Sequence, residues 1–146
     1  MINKTISFTI AVFVLVACVA SAGIASKIKP WVDANTVNGR TAEFFIVLKT
    51  KADLSPAFKM ATKVERGKFV YKTLYETAQK SQAPLQQLLK SRGIKFQSFY
   101  IINALLVTGD RKLVNEMAAR DDVASIDGNP VIHNDLPKPQ KVSLPN

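Results

Sequence analysis

The sequence predicts an α+β domain, because strand-forming runs and helical patterns follow one another in the order β-α-β-β-α-β. The length supports a single domain, since 146 residues leave room for one folded unit with tails. The only cysteine, Cys18, precedes this unit, so the domain is expected to fold without a disulfide. Its stability is therefore expected to depend on an apolar core alone.

The first half of the predicted domain is a strand followed by a helical region. Glu43–Lys49 is a short apolar run rich in strand-forming residues and bounded by polar ones, so it predicts the first strand. Residues 64–82 predict a helix, because apolar side chains recur there every four positions. Pro84 is expected to end or restart that helix, and Gly93 closes a short second stretch.

The second half of the domain repeats this pattern after a pair of strands. Ile94–Phe99 and Tyr100–Thr108 predict an antiparallel pair or one bent ribbon. Gly109-Asp110 starts the second helix, and Val123–Ile126 is the final strand. This order is the ferredoxin-like arrangement, in which a four-stranded antiparallel sheet has two helices on one face and leaves the other face free for a partner.

The N-terminal segment has the three parts of a signal peptide. Met1–Lys4 is positively charged, Ile6–Val19 is mostly apolar, and residues 20–22 (Ala-Ser-Ala) match the small-x-small pattern of a cleavage site. Residues 1–22 therefore predict export to a secreted, extracellular or periplasmic location. The stretch Leu15–Cys18 also resembles the lipobox of bacterial lipoproteins, an alternative in which a lipid on Cys18 would anchor the exported chain.

The remaining chain divides into three parts by composition. Residues 23–42 are a polar connector, residues 43–134 are the folded domain, and residues 135–146 are a flexible Pro-rich tail. The formal net charge of the chain is +9, which attracts acidic surfaces without selecting among proteins, lipids and nucleic acids.

The sequence predicts neither catalysis nor a cofactor. His133 is the only histidine, it lies close to the tail, and no Gly-x-Ser-x-Gly nucleophile motif occurs in the chain. Asp121, Asp122 and Asp127 are too few and too ordinary for a metal site. Phosphate-binding glycine motifs are also absent from the sequence. We therefore expect no catalytic residue, no metal ligand and no cofactor, and a function that consists of binding.

One motif resembles a nucleic-acid-binding signature. Arg66–Tyr71 looks like the RNP1 motif of RNA-recognition domains, whose aromatic rings must lie on a strand to stack on bases. Here the motif falls inside the first predicted helix. We therefore expect no nucleic-acid partner.

The folded part resembles the peptidase inhibitor I9 family, the propeptide domains of subtilisin-like (S8) serine proteases and their free-standing relatives. Four stretches carry the resemblance by their order and spacing: Glu43–Lys49, Asn103-Ala104, Gly109–Val114 and Val123–Asp127. The helical region with Pro84 is similar to bacillopeptidase-like precursors.

The resemblance implies a serine protease inhibitor, an intramolecular chaperone, or both. In this family the open sheet face packs on two surface helices of the protease, and the C-terminal tail occupies the active-site cleft. Asp127 and Asn129 match the positions that approach the N-termini of those helices. The residues that match the cleft-binding segment are Val131, Ile132, His133, Asn134 and Asp135.

Three interpretations of the whole chain follow. It is a stand-alone inhibitor acting on an S8 protease in trans, the N-terminal fragment of a truncated protease precursor acting in cis, or a generic ferredoxin-like ligand-binding module. In each of them, contact with a membrane is expected only through the signal or through a lipid on Cys18.

Overall fold

The computed structural model describes residues 23–131. The signal predicted over residues 1–22, including Cys18, and the tail predicted over residues 135–146 lie outside the described residues. Residues 23–27 are helical, and they are followed by α1 (Pro30–Asn35), α2 (Lys63–Ser91) and α3 (Arg111–Ala119), with a short 3-10 helix at Ser55–Lys59. The strands are β1 (Ala42–Leu48), β2 (Phe96–Phe99), β3 (Ala104–Gly109) and β4 (Val123–Gly128).

The four strands form one antiparallel sheet in the order β2-β3-β1-β4, which confirms the predicted α+β class and antiparallel sheet. The central strand β1 pairs with β3 on one side and with β4 on the other. In this register Ile46 lies opposite both Leu105 and Ile126. Because side chains alternate along a strand, these three residues share one face of the sheet.

A single apolar core lies on that face. The three alternate residues of β1 that belong to it, Phe44, Ile46 and Leu48, are at most 3% exposed. Both long helices contribute to the same cluster, α2 through its C-terminal half and α3 along its whole length. The core residues from these two helices are Leu85, Leu89, Leu113, Val114, Met117 and Ala118.

Helix α2 runs without interruption from Lys63 to Ser91, so the expectation that Pro84 ends or restarts it is wrong. Proline within a helix removes one backbone hydrogen bond and crowds the carbonyl group four residues earlier. Pro84 is exposed, so the carbonyl group it frees faces water. The buried residues Leu85 and Leu89 follow on the opposite side, and their packing keeps the chain helical.

The two main helices begin at side-chain caps. Thr62 and Glu65 form a reciprocal capping box at the start of α2. The Asp110 carboxylate accepts from the backbone N–H of Leu113 at 3.0 Å, which confirms the predicted start of the second helix. A Cβ at Gly109, just before it, would lie 2.4 Å from Leu113 Cδ2, so a larger residue there would displace the Leu113 side chain.

The β2–β3 connection differs from the predicted long strand over Tyr100–Thr108. Tyr100–Asn103 form a turn, and β3 begins only at Ala104. Asn103 has a φ of 47°, in the left-handed region that asparagine tolerates better than most residues. The β-forming isoleucines at 101 and 102 suggested a strand, but the turn at Asn103 overrides their propensity.

Part of the predicted connector, residues 23–42, packs on the domain. Val32 of α1 is fully buried in the core. Ile28 forms a parallel bridge with Ile126, and the backbone N–H of Lys29 donates to the Ile126 carbonyl. Trp31 lies so close to Gly128 that a Cβ there would approach its ring to 2.2 Å. This segment therefore covers the outer edge of β4.

One ion pair near this edge predicts a pH effect. The Arg120 guanidinium donates to both carboxylate oxygens of Asp122, at 2.8 and 2.6 Å, and lowers the pKa of Asp122. A carboxylate whose pKa is lowered in the folded state stabilises the fold above its unfolded pKa, and that stability is lost as the pH falls.

We therefore expect Asp122→Asn to lower the free energy of unfolding by about 0.5–1 kcal/mol at pH 7, because the pair is partly exposed. Thermal unfolding of both proteins between pH 7 and pH 2.5 measures the difference. The two curves should approach each other below about pH 4, where the unfolded carboxylate becomes protonated, and should meet only below the lowered pKa of the folded carboxylate. A gap that stays constant to the lowest pH would show that the pair does not act through its charge.

Candidate binding surface

The sheet face opposite the core has an apolar centre. Its register places Phe45 and Val47 of β1, Leu106 of β3 and Phe99 of β2 on this face. All four side chains are half-buried. The rings of Phe45 and Phe99 meet edge to face, with centroids 5.5 Å apart. We call these four residues the open-face cluster.

Small and polar residues surround the open-face cluster. Ala104 of β3 lies between Val47 of β1 and Phe99 of β2, and it is fully buried. Asp127 of β4 lies opposite Phe45 across the strand pair. Its carboxylate accepts from the Ser125 hydroxyl at 3.0 Å, which fixes the carboxylate at the edge of the apolar centre.

Asn129 extends the pairing of β4 with β1 by one more backbone hydrogen bond. Its N–H donates to the Glu43 carbonyl at 3.3 Å, and its side-chain nitrogen lies 2.5 Å from the Glu43 carboxylate. An ionised carboxylate can only accept hydrogen bonds, so the asparagine must direct its NH₂ group to Glu43. The Asn129 side-chain oxygen is thereby left to accept from another donor.

The structure brings together only some of the residues predicted to bind. Asp127 near the end of β4 and Asn129 just after it lie two positions apart, and Val131 follows with 81% of its surface exposed. Ile132, His133, Asn134 and Asp135 lie outside the described residues. Glu43, which orients the Asn129 side chain, was not among the residues predicted to bind. The alternation of side chains along the strand could have identified it, because Glu43 and Phe45 lie on the same face.

A buried polar network holds one end of the sheet. Gln82 of α2 is fully buried, and its side-chain nitrogen donates to the Asn103 side-chain oxygen at 3.1 Å. Ser98 of β2 donates to the Gln82 side-chain oxygen at 2.6 Å. Asn103 in turn donates to the Thr50 carbonyl at 2.7 Å and to the Ser81 hydroxyl at 3.0 Å. The network therefore joins α2, the β2–β3 turn and the segment after β1.

We expect Asn103→Ala to lower the free energy of unfolding by about 2–3 kcal/mol, because it leaves buried partners unsatisfied. Asn103→Gly is the matched control, since glycine adopts a positive φ freely and should lose about 1 kcal/mol less. Chemical denaturation of the two variants measures both values. Equal losses would show that the left-handed backbone contributes nothing, and wild-type stability in both would rule out the network as a stabilising contact.

The residues that the structure describes form neither a metal site nor a membrane-spanning helix. Within residues 23–131, no three histidine, cysteine, aspartate or glutamate side chains gather closely enough to hold a metal ion. None of the helices in that range combines the length and apolarity needed to cross a bilayer. His133 and Cys18 lie outside it. The motif Arg66–Tyr71 lies within α2, as predicted, and not on a strand.

Comparison of the chain with protein-family models, curated proteins and solved structures finds no match. The geometry of the candidate binding surface is therefore the only support for its role. The surface consists of an apolar sheet face, two oriented acceptors at the end of β4, and a chain that leaves the domain beside them.

Proposed function

We propose that this chain is a binding module of the inhibitor I9 type, which inhibits a subtilisin-like serine protease or assists its folding. The module performs no covalent chemistry. It binds the enzyme through the open-face cluster and places the residues after β4 in the active-site cleft. The observation that carries the proposal is the half-buried apolar sheet face beside the exit of the chain.

The strand order supports a ferredoxin-like fold, which this type of module requires. In a split βαβ unit the first two strands flank a third strand inserted between them. Here α2 connects β1 to β2, and β3 lies between those two strands in the order β2-β3-β1-β4. Helix α3 connects β3 to β4 in the same way, with β1 between them.

The composition of the open face fits a protein partner. Aromatic side chains at the centre of an interface carry much of its binding energy, and here Phe45 and Phe99 lie at the centre. They are also in contact with each other, so little side-chain freedom remains to be lost on binding. The surrounding polar positions, Asp127 among them, correspond to the rim of such an interface.

The end of β4 fits the N-termini of two helices. The first N–H groups of a helix have no partner within it, and the helix dipole favours a negative charge there. Asp127 offers a carboxylate, and Asn129 offers the oxygen that its contact with Glu43 leaves available. In the proposal these two residues cap helices on the protease surface.

The segment that begins at Val131 is the cleft-binding part of the proposal. An extended peptide can add a strand to a protease cleft through backbone hydrogen bonds, with alternate side chains in specificity pockets. Val131 is 81% exposed at the point where the chain leaves β4, so it is available to such a cleft. Ile132, His133, Asn134 and Asp135 complete the proposed segment.

A segment replacement tests this function. A subtilisin-type protease is titrated with the wild-type chain and with a variant in which residues 131–135 are glycine and serine. The matched control replaces residues 136–140 in the same way. We expect inhibition by the wild type and by the control, and a loss of about 100-fold or more when the cleft segment is replaced, because several contacts are removed together.

Two outcomes would contradict the proposal. Equal inhibition by all three chains would remove the cleft segment from the mechanism. Full protease activity with an excess of every chain would favour a generic ferredoxin-like ligand-binding module instead.

A further inference from the structure

A second exposed apolar surface lies at one end of the domain. It consists of Tyr71 and Tyr75 on α2, and Tyr100, Ile101 and Ile102 in the β2–β3 turn. The exposed fractions are 55% for Tyr71, 43% for Tyr75, 67% for Ile101 and 52% for Ile102. We call these five residues the tyrosine–isoleucine end. It shares none of its five residues with the open-face cluster, although Val47 of that cluster lines the groove beside it.

The members of this surface form one continuous patch. The rings of Tyr71 and Tyr75 stack with centroids 5.9 Å apart. Tyr100 meets both of them edge to face, at 5.6 and 6.1 Å. Ile101 and Ile102 follow Tyr100 directly and line a groove of about 290 Å³ with Leu74. Contiguous exposed apolar patches on soluble domains mark interaction sites.

The turn is held in place by the buried polar network. Asn103 closes it with a positive φ and with hydrogen bonds to Thr50, Ser81 and Gln82. The Asn103 carbonyl also accepts from the N–H of Leu48 at 3.0 Å. Two isoleucines are therefore presented to solvent by a fixed backbone, so presenting them requires no ordering of the turn.

The stretch of chain that runs from the end of β1 through Tyr71 and Tyr75 is mostly basic. Residues 49–80 contain eight lysines and arginines and three acidic residues. Lys51 lines the same groove as Ile101 and Ile102, and Lys49 lies two residues before it. Within the described part of this stretch, the one ion pair joins Lys72 to Glu76 at 3.9 Å. The surplus is therefore available to an anionic partner.

We propose that the tyrosine–isoleucine end binds the surface of an anionic lipid bilayer. The two isoleucines enter the outer edge of the acyl region, and the tyrosines lie at the depth of the head groups, where amphipathic rings accumulate. Lys49 and Lys51 face the lipid phosphates. Each lysine near such a surface strengthens binding by roughly fivefold, from about 1 kcal/mol per charge.

The charge and shape of the tyrosine–isoleucine end disfavour two other partners, a second copy of the chain and an acidic protein. A second copy of the chain would bring the same basic residues against each other. An acidic protein would also neutralise the charges. However, the two isoleucines are adjacent in a turn with tyrosines and lysines nearby, and this order of apolar, amphipathic and charged groups matches the change in polarity from the acyl region to the head groups of a bilayer. The sequence placed membrane contact only at residues 1–22, whereas this surface belongs to the folded domain.

A fluorophore placed beside the turn tests the proposal. In the full chain, Cys18→Ser is combined with Thr50→Cys, and the new thiol is labelled with the polarity-sensitive dye NBD. Thr41→Cys is the matched control, because Thr41 is also exposed but lies just before the opposite end of β1, a strand about 20 Å long. Vesicles of phosphatidylglycerol and phosphatidylcholine are compared with vesicles of phosphatidylcholine alone.

We expect a blue shift of the dye at position 50 on the anionic vesicles and none at position 41. The shift should be lost in Ile101→Ser/Ile102→Ser and reduced in Lys49→Gln/Lys51→Gln. Circular dichroism should give unchanged melting for both pairs, because all four side chains are exposed. A comparison within one chain separates the turn from any membrane contact made by residues 1–22.

Three outcomes would overturn the proposal. Equal shifts at positions 50 and 41 would mean that the chain contacts lipid without using this end. A shift that survives the isoleucine substitutions would exclude the turn as the inserted part. No shift on anionic vesicles would leave an acidic protein as the partner of this surface. Ile101→Ser/Ile102→Ser should still inhibit the protease, so a failure here is distinct from a failure of the proposed function.

Discussion

Phe44→Ala is expected to lower the free energy of unfolding by about 3–5 kcal/mol, because it leaves a cavity in the centre of the core. Phe44 is fully buried on the central strand, opposite Val107 of β3. Small single domains have only about 5–15 kcal/mol of stability in total, so the variant should be unfolded for a measurable fraction of the time. Urea denaturation followed by circular dichroism measures the loss.

The neighbouring residue provides the matched control for this prediction. Phe45 has the same side chain, but the alternation of the strand places it on the open face, where it is half-buried. Phe45→Ala should therefore cost about 1–2 kcal/mol, mainly from its contact with Phe99. Equal losses for the two substitutions would mean that the two faces of the sheet are packed alike, contrary to the structure.

Phe45→Ala is expected to weaken protease inhibition by about 30-fold or more, which corresponds to a hot-spot loss of about 2 kcal/mol. The physical reason is that the Phe45 ring lies at the centre of the open-face cluster, where a partner would exclude water from it. Inhibition constants of folded wild type and variant, measured against one subtilisin-type protease, test this expectation.

Ile101→Ser serves as the control for binding. It also removes an exposed apolar side chain, but from the end of the domain and not from the open face. Its inhibition constant should equal that of the wild type. Weakening by Ile101→Ser together with unchanged inhibition by Phe45→Ala would place the protease contact on the other surface.

The strands and the second helix could be predicted because local patterns coincide with tertiary packing there. The apolar run at Glu43–Lys49 matches β1 to within one residue at each end. Asp110 caps a helix whose apolar face is buried, so the capping residue and the apolar periodicity predict the same helix. In such segments the tertiary contacts favour the same secondary structure as the local sequence.

The predictions are wrong where contacts with residues distant in the sequence override the conformational preference of the local sequence. Pro84 interrupts helices in general, but here the buried residues on the far side of α2 hold the helix together. Ile101 and Ile102 favour strands, but Asn103 closes a turn through partners on α2 and after β1. Neither set of partners can be identified from the neighbouring sequence.

The candidate surface was predictable only in part. Alternation along β1 predicts that one face carries Glu43, Phe45 and Val47, and the β-α-β-β-α-β order predicts that this face is free of the two helices. The contact between Glu43 and Asn129 joins residues far apart in the sequence. Its existence depends on the pairing of β1 with β4, which local patterns do not specify.

The central claim is that the domain binds a subtilisin-like protease through its open sheet face. Calorimetric titration of the chain into such a protease, with its catalytic serine changed to alanine to prevent cleavage, tests it most directly. We predict one-to-one binding that weakens by about 30-fold or more in Phe45→Ala and is unchanged in Ile101→Ser. The account would be contradicted by the absence of binding heat, or by equal affinity of wild type and Phe45→Ala.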